Sequence, residues 1–456
     1  MRPSDLRRFA PALAAVLLSV SLGSVEAQWK SEADPCARSD LAPDQRIEVC
    51  TKALAESGLP PNGRAFALNN RGFAFNAKGD IERAMADYNE AIKLDPNLAD
   101  AFNNRGAAEG EKGDLDAAIA DFDAAIRINP ALGKALLNRG LAHQARGDID
   151  AALGDFDAAI KVDAAAALAY RGRAAAREAK GDLAGAIEDL SQAIHVDPGS
   201  SEQFASRGRL YSRRGDFTHA IADDDEAIRL DPNASGAYNN RCNIWMVKEL
   251  YKNALADCSE ALRIDPKLPA AHFNKGVLLG IAGDPAAAAD EYSKTIEGDA
   301  RFGPAYKSRG NLRFDSGQFE LARADLDQAA QLMPNDPYVA LWRFLASRRV
   351  TPDNPKAAAD LQQAAERFDA AAWPAPVIAL MLGKSEPSAV LQAADRGDAR
   401  QTADRQCEAS FYVGEWRLMQ GEKGPALRQL EDAERNCRAT FAESAGARAE
   451  LERLSK

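Results

Sequence analysis

Aromatic side chains make up only 7% of the 456 residues and histidine occurs four times, which leaves little material for stacking platforms, haem pockets or His-rich metal sites. Positive charge is also short. Lys and Arg number 57 against 68 Asp and Glu, a formal net charge of −11, and this excludes a protein that wraps nucleic acid by neutralising its phosphates. No His-Glu-x-x-His, Gly-x-Ser-x-Gly, phosphate loop or dinucleotide fingerprint occurs. His143, His195, His219 and His272 stand apart from one another in the repeat pattern below and read as surface or core residues. The sequence therefore predicts neither catalysis nor a cofactor. What is present, 46% apolar and 27% charged residues, is the balance of a folded chain.

Long apolar runs are missing too. Phe9 to Leu22, preceded by Arg2, Arg7 and Arg8 and followed by Val25-Glu26-Ala27, has the layout of a signal peptide cleaved after Ala27. At 1.5 Å per residue the run spans about 21 Å, short of the roughly 30 Å hydrocarbon core of a bilayer. The segment contains no Cys and so no lipobox. The expectation is an exported, periplasmic protein with no stable membrane anchor once the segment is removed.

The six cysteines, Cys36, Cys50, Cys242, Cys258, Cys407 and Cys437, all follow that segment. An even count in an exported chain reads as a disulfide framework in an oxidising compartment. Zinc is the rival reading, but no Cys-x-x-Cys occurs and no His lies at ligand spacing from a Cys pair.

A 34-residue period governs the middle of the chain. Arg71-Gly72, Arg105-Gly106, Arg139-Gly140, Arg173-Ala174, Arg207-Gly208, Arg241-Cys242, Lys275-Gly276 and Arg309-Gly310 follow one another without insertion. Twelve residues after each small residue stands an Ala, from Ala84 to Ala322, and Asp-Pro or a variant closes most units, as in Asp95-Pro96 and Asp231-Pro232. Each unit reads as a helical hairpin, helix A then helix B, with apolar residues at helical spacing such as Leu115, Ile119, Phe122 and Ile126. Gly-Asp, as in Gly113-Asp114, ends helix A in a left-handed cap and N-caps helix B. A hairpin this short cannot bury its apolar face alone, so neighbours must stack.

Level-matching within the hairpin predicts two sets of partners. The Arg or Lys of each unit lies level with Asp87, Asp121, Asp155, Asp189, Asp223, Asp257, Glu291 or Asp325, an ion-pair ladder read as structural register. In the sixth unit the small residue and the aromatic opposite it both become Cys, which predicts a Cys242–Cys258 bridge. The same matching pairs Cys407 with Cys437 and leaves Cys36 with Cys50.

Small residues at positions 8 and 20 of the unit, an aromatic at 24 (Tyr88, Phe122, Phe156, Tyr292), Ala at 27 and Pro at 32 resemble the tetratricopeptide repeat family. The resemblance implies an all-α, right-handed solenoid of antiparallel hairpins. It divides the chain into a capping segment at 28–64, eight units at 65–336, a degenerate hairpin with a Pro-rich connector at 337–402, and a ninth unit with a C-terminal capping helix at 403–456. The C-terminal arrangement is similar to that of NlpI-type outer-membrane lipoproteins, adaptors for cell-wall enzymes and a protease, although the lipobox is missing.

In tetratricopeptide proteins helix A forms the concave surface, and the candidate binding residues are taken from it. Asn70, Asn104, Asn138, Asn240 and Asn274 share position 6, with Asn69, Asn103 and Asn239 beside them. The row reads either as a clamp on the backbone of an extended peptide or as solvated residues of this repeat subtype. Arg209 and Arg213 form a basic spot suited to a carboxylate. Phe273 and Val277, with Met246, Val247, Ile281 and Phe314, form an apolar stretch for ligand contact or inter-repeat packing. The functional expectation is a non-enzymatic scaffold or adaptor that binds proteins or peptides in its groove, in cell-envelope assembly. The alternative is a structural component whose groove packs a second copy.

Overall fold

The structure is a computed structural model that describes residues 36, 38, 40–56, 58–438 and 441–456. The targeting segment and cleavage site after Ala27 that the sequence leads one to expect lie outside those residues. All regular structure among the described residues is helical, and the chain forms two compact units that part between Pro232 and Asn233.

The first unit opens with the helix Pro43–Ala55. Five hairpins follow: repeat one (Pro61–Ala77, Ile81–Leu94), two (Ala99–Lys112, Leu115–Ile128), three (Gly133–Arg146, Ile149–Val162), four (Ala167–Ala179, Leu183–Val196) and five (Ser201–Arg213, Phe217–Leu230). The second unit begins with repeat six (Ser235–Val247, Tyr251–Ile264), seven (Pro269–Ile281, Pro285–Gly298) and eight (Gly303–Asp315, Phe319–Leu332). Within each unit every helix A packs against its own helix B and the helix B before it, the arrangement of an α-solenoid.

The repeat residues explain the hairpin. Helices A and B cross where position 8 meets position 24: a Cβ on Gly140 would lie 2.8 Å from the Phe156 ring, so only glycine lets the ring close over the backbone. Beside that crossing, the Ala of position 20 is fully buried in all eight repeats. Gly113 takes φ +90, and the N–H of Asp114 donates to the Glu109 carbonyl at 3.0 Å, which satisfies an end carbonyl of helix A. The Asp114 carboxylate then accepts the Ala117 N–H at 3.0 Å and caps helix B.

Repeat six departs from this pattern. Cys242 and Cys258 replace the glycine and the ring, bridged with a Cα separation of 5.5 Å. Its turn carries Glu249 at φ +60 and Leu250, which has no side chain able to cap. Cys36–Cys50 ties the N-terminal helix to the residues before it, and Cys407–Cys437 joins two helices near the C-terminus.

Beyond repeat eight the second unit continues with Pro337–Val350, Pro355–Ala365, Ala375–Met381, Pro387–Ala394, Ala399–Met419, Lys423–Asn436 and Ala442–Ser455. The 34-residue pattern does not foresee the helix Pro387–Ala394. The size of this region rests on an aromatic core: Phe314 against Trp342, Trp342 against Phe411 and Phe411 against Tyr412, with ring centroids 5.1 to 5.3 Å apart.

Candidate functional site

In repeats one to three the asparagines bond to one another. Asn138 Nδ2 donates to Asn103 Oδ1 at 3.0 Å, Asn103 Nδ2 to Asn104 Oδ1 at 3.2 Å, and Asn104 Nδ2 to Asn69 Oδ1 at 2.9 Å. Asn69 passes the chain to Asn70 at 3.4 Å, and Asn70 Nδ2 ends it on the Cys36 carbonyl at 3.1 Å. Position 6 of one repeat thus donates to position 5 of the repeat before it. Asn104 and Asn138 are 6% and 1% exposed, so they are interface residues and not a solvated row. At the far end Asn138 Oδ1 is buried without a partner among the described residues. The next position 6 is Gly172, where the Phe156 ring would stand 2.6 Å from any Cβ, so no side chain could continue the row.

In the second unit Asn274 Nδ2 repeats the same bond to Asn239 Oδ1 at 3.1 Å, and Asn240 is half-buried. Carboxamides suit this task because each offers a donor and an acceptor. The structure corrects the peptide-clamp reading for Asn104 and Asn138, whose amides are committed to neighbouring repeats.

The basic spot is corrected in the same way. Arg209 holds Glu178 through both terminal nitrogens, at 2.5 and 2.8 Å, and Arg213 reaches the same carboxylate. The hydrogen bond from Arg209 leads in keeping Glu178 below the usual carboxylate range. Asp100 pairs with Lys134 between repeats two and three at 2.6 Å, and Arg171 with Glu202 between repeats four and five at 2.8 Å. These charges on helix A mostly cancel between adjacent repeats.

Phe273 lies between Tyr292 and Phe302, with centroids 5.6 and 5.1 Å away, and Val277 packs into the same cluster. Phe314 is fully buried. All three serve inter-repeat packing. Among the described residues the large apolar side chains that are exposed are Val162, Val247, Leu250, Leu255 and Leu321, and three of these five lie in repeat six, at the end of its first helix, in its turn and in its second helix. Val247 is 58% exposed and Leu250 47%. Leu250 and Leu255 escaped the sequence reading. For Leu250 the available signal was Leu at the position where six other repeats have Asp.

The ion-pair ladder is present in all eight repeats. Arg105 shows its geometry: Nε and Nη2 grip Asp121 at 2.8 and 2.7 Å, while Nη1 reaches back sixteen residues to Asn89 in the preceding repeat at 2.7 Å. Arg139 reaches Asp123 and Arg173 reaches Asp157 the same way, each at 2.6 Å. One guanidinium therefore joins two helices of its own hairpin and the hairpin before it, which its fork of donors permits and an ammonium would not. The bond to Asp121 raises the Arg105 pKa further.

Two of the histidines pair with carboxylates: His219 bonds Asp216 at 2.8 Å, and His272 bonds Glu291 at 2.5 Å. No cluster of three or more metal-ligating side chains occurs among the described residues, and no described helix is long and apolar enough to cross a membrane.

Comparison with known proteins agrees with this architecture. A TPR repeat model matches residues 72–110, and tetratricopeptide repeat models match 99–132, 137–201 and 206–269. Among solved structures, a tetratricopeptide repeat protein from Parabacteroides merdae is similar at 19% identity, over 55% of this chain and 98% of that one, with a TM-score of 0.47. YrrB, described as a TPR protein with an unusual peptide-binding site, matches at 23% identity over 42% and 96% of the two chains, TM-score 0.35. Pseudomonas aeruginosa pilF matches at 19% over 45% and 93%, TM-score 0.41. The family-model matches, on the 34-residue hairpins with their glycine-to-ring crossings, identify residues 72–132, 137–201 and 206–269 as tetratricopeptide repeats.

Proposed function

We propose that this chain is a non-catalytic scaffold, exported to the periplasm, that seats a protein or peptide partner on repeat six and serves in envelope assembly. The observation that carries the reading is the concentration of exposed apolar side chains at Val247, Leu250 and Leu255, with Leu250 standing where the other repeats have Asp or Gln. Apolar surface of this kind is what a partner would cover. The Cys242–Cys258 bridge supports a rigid platform beneath it. Three bridges using all six cysteines, together with the basic and then apolar N-terminus, support export to an oxidising compartment.

The test is capture from an envelope fraction, with mass spectrometry, on the wild type and on Val247→Ser plus Leu255→Ser. Both changes are on the surface and should move stability by less than about 0.5 kcal/mol. Loss of capture with unchanged melting supports the site, and undiminished capture rules it out. Light scattering on the same pair distinguishes a foreign partner from a second copy of the chain. For export, the mature protein should begin at Gln28 and lack six thiol hydrogens by intact mass. A retained Met1 or six free thiols would contradict it.

A further inference from the structure

The C-terminal helix Ala442–Ser455 packs on the long helix Ala399–Met419 and on helix A of repeat eight. Each of the first two carries a pair of glutamates seven residues apart, Glu408 with Glu415 and Glu443 with Glu450, and two helical turns put such a pair on one face. All four are buried, at 9%, 0%, 6% and 1% exposure. Asp315, at the end of helix A of repeat eight, joins them, and its Oδ1 is buried with no partner among the described residues, as is Glu415 Oε1.

The two levels of this cluster are neutralised differently. At the lower level Arg349 reaches Glu415 and Glu450 at 2.8 Å each, from the helix Pro337–Val350. Arg453 pairs with Glu450 at 2.5 Å and donates to the Asp315 carbonyl at 2.7 Å, which ties the C-terminal helix to repeat eight. At the upper level Glu408 and Glu443 accept from the neutral donors Tyr338, Trp373 and Tyr412. Glu408 Oε2 accepts from Tyr338 Oη at 2.8 Å and Trp373 Nε1 at 2.6 Å, and Glu443 Oε1 accepts from Tyr412 Oη at 3.0 Å. The cation on this side, Lys307 of repeat eight, is paired with Asp336 at 2.9 Å, and Asp404 on the long helix adds negative charge. Burial, reinforced by Glu443, pushes Glu408 up to about 7, and burial likewise raises Glu443, Glu415 and Asp315.

We propose that docking of the C-terminal helix onto repeat eight takes up protons at the Glu408–Glu443 pair, so that this cover is held more tightly in mildly acidic than in alkaline medium. The sign follows from linkage. A carboxyl whose pKa is higher in the docked state carries a proton there that the released, solvated state gives up. Below the solvated value of 4.5 both states are protonated and docking is at its tightest. As pH rises towards about 7 docking weakens, and above that the loss is complete. Between pH 5.5 and 8.0 Glu408 would change the docking equilibrium by at most roughly thirty-fold, the limit reached if release solvates it fully.

Hydrogen exchange of residues 442–455 in the full chain, corrected for intrinsic rate, tests this at pH 5.5 and 8.0. The opening constant should rise at least about threefold, and up to roughly thirty-fold, on going to pH 8.0. Glu408→Gln should cut that ratio at least about threefold. Tyr338→Phe removes a donor to the ionised carboxylate and should move the midpoint to higher pH. Equal opening at both pH values, an unaltered ratio in Glu408→Gln, or a midpoint that stays or falls in Tyr338→Phe would each overturn the proposal. If Glu408→Gln fails to fold, the wild type and Tyr338→Phe still decide it.

Discussion

The arginine ladder allows its strength to be worked out at one rung. Arg105→Ala removes two bonds to Asp121, at 2.8 and 2.7 Å, and one to Asn89 at 2.7 Å. The Asp121 side chain is only 11% exposed, so its carboxylate would be left charged and poorly hydrated. Removing one partner of a buried pair costs about 3–5 kcal/mol. The arginine side chain itself is 24% exposed, so water and salt reach the vacated position, and the expected loss falls to about 2–3 kcal/mol. Because repeats open separately from distant ones, the readout is the opening free energy of Ala99–Ile128 by hydrogen exchange. Asp121→Ala should cost a similar amount, and the double variant should cost about 1–2 kcal/mol less than the sum. Lys112→Ala, which breaks an exposed pair with Glu109, is the control and should stay within about 0.5 kcal/mol. A loss for Arg105→Ala no greater than that control, or strict additivity in the cycle, would refute the clamp.

Other outcomes follow from the same contacts. Asn104→Ala with Asn138→Ala should destabilise the first unit by about 2–4 kcal/mol, because each change breaks a buried amide pair; urea melts within about 0.5 kcal/mol of wild type would mean the row is solvated after all. Cys242→Ala with Cys258→Ala should lower the stability of Ser235–Ile264 by roughly 3 kcal/mol, which early exchange in that hairpin alone would show. Glu249→Gly should relieve about 1 kcal/mol of left-handed strain and Leu250→Asp should add a cap worth about 1 kcal/mol. Thermal melting that leaves the combined variant no more stable than wild type would count against the account of that turn.

The sequence by itself determined what depends on short-range periodicity. Apolar spacing sets the helices, Gly-Asp sets the turn within six of the eight hairpins, and the 34-residue step sets the stacking. Arg105 with Asp121, and Cys242 with Cys258, were legible because both members of each pair lie in one hairpin, sixteen residues apart. Tertiary structure alone decided which polar residues on helix A were available to a ligand. Asn104 bonds Asn69 thirty-five residues away and Arg209 bonds Glu178 thirty-one away; availability is a property of the neighbour that covers a face, not of the residue that forms it. The acidic cluster lies further still from sequence reach, since Arg349 meets Glu415 and Arg453 meets Asp315 across 66 and 138 residues. No local pattern encodes such contacts. They exist because the C-terminal helix buries Glu443, Ala447 and Glu450 among helices that lie far from it in sequence, helix A of repeat eight included.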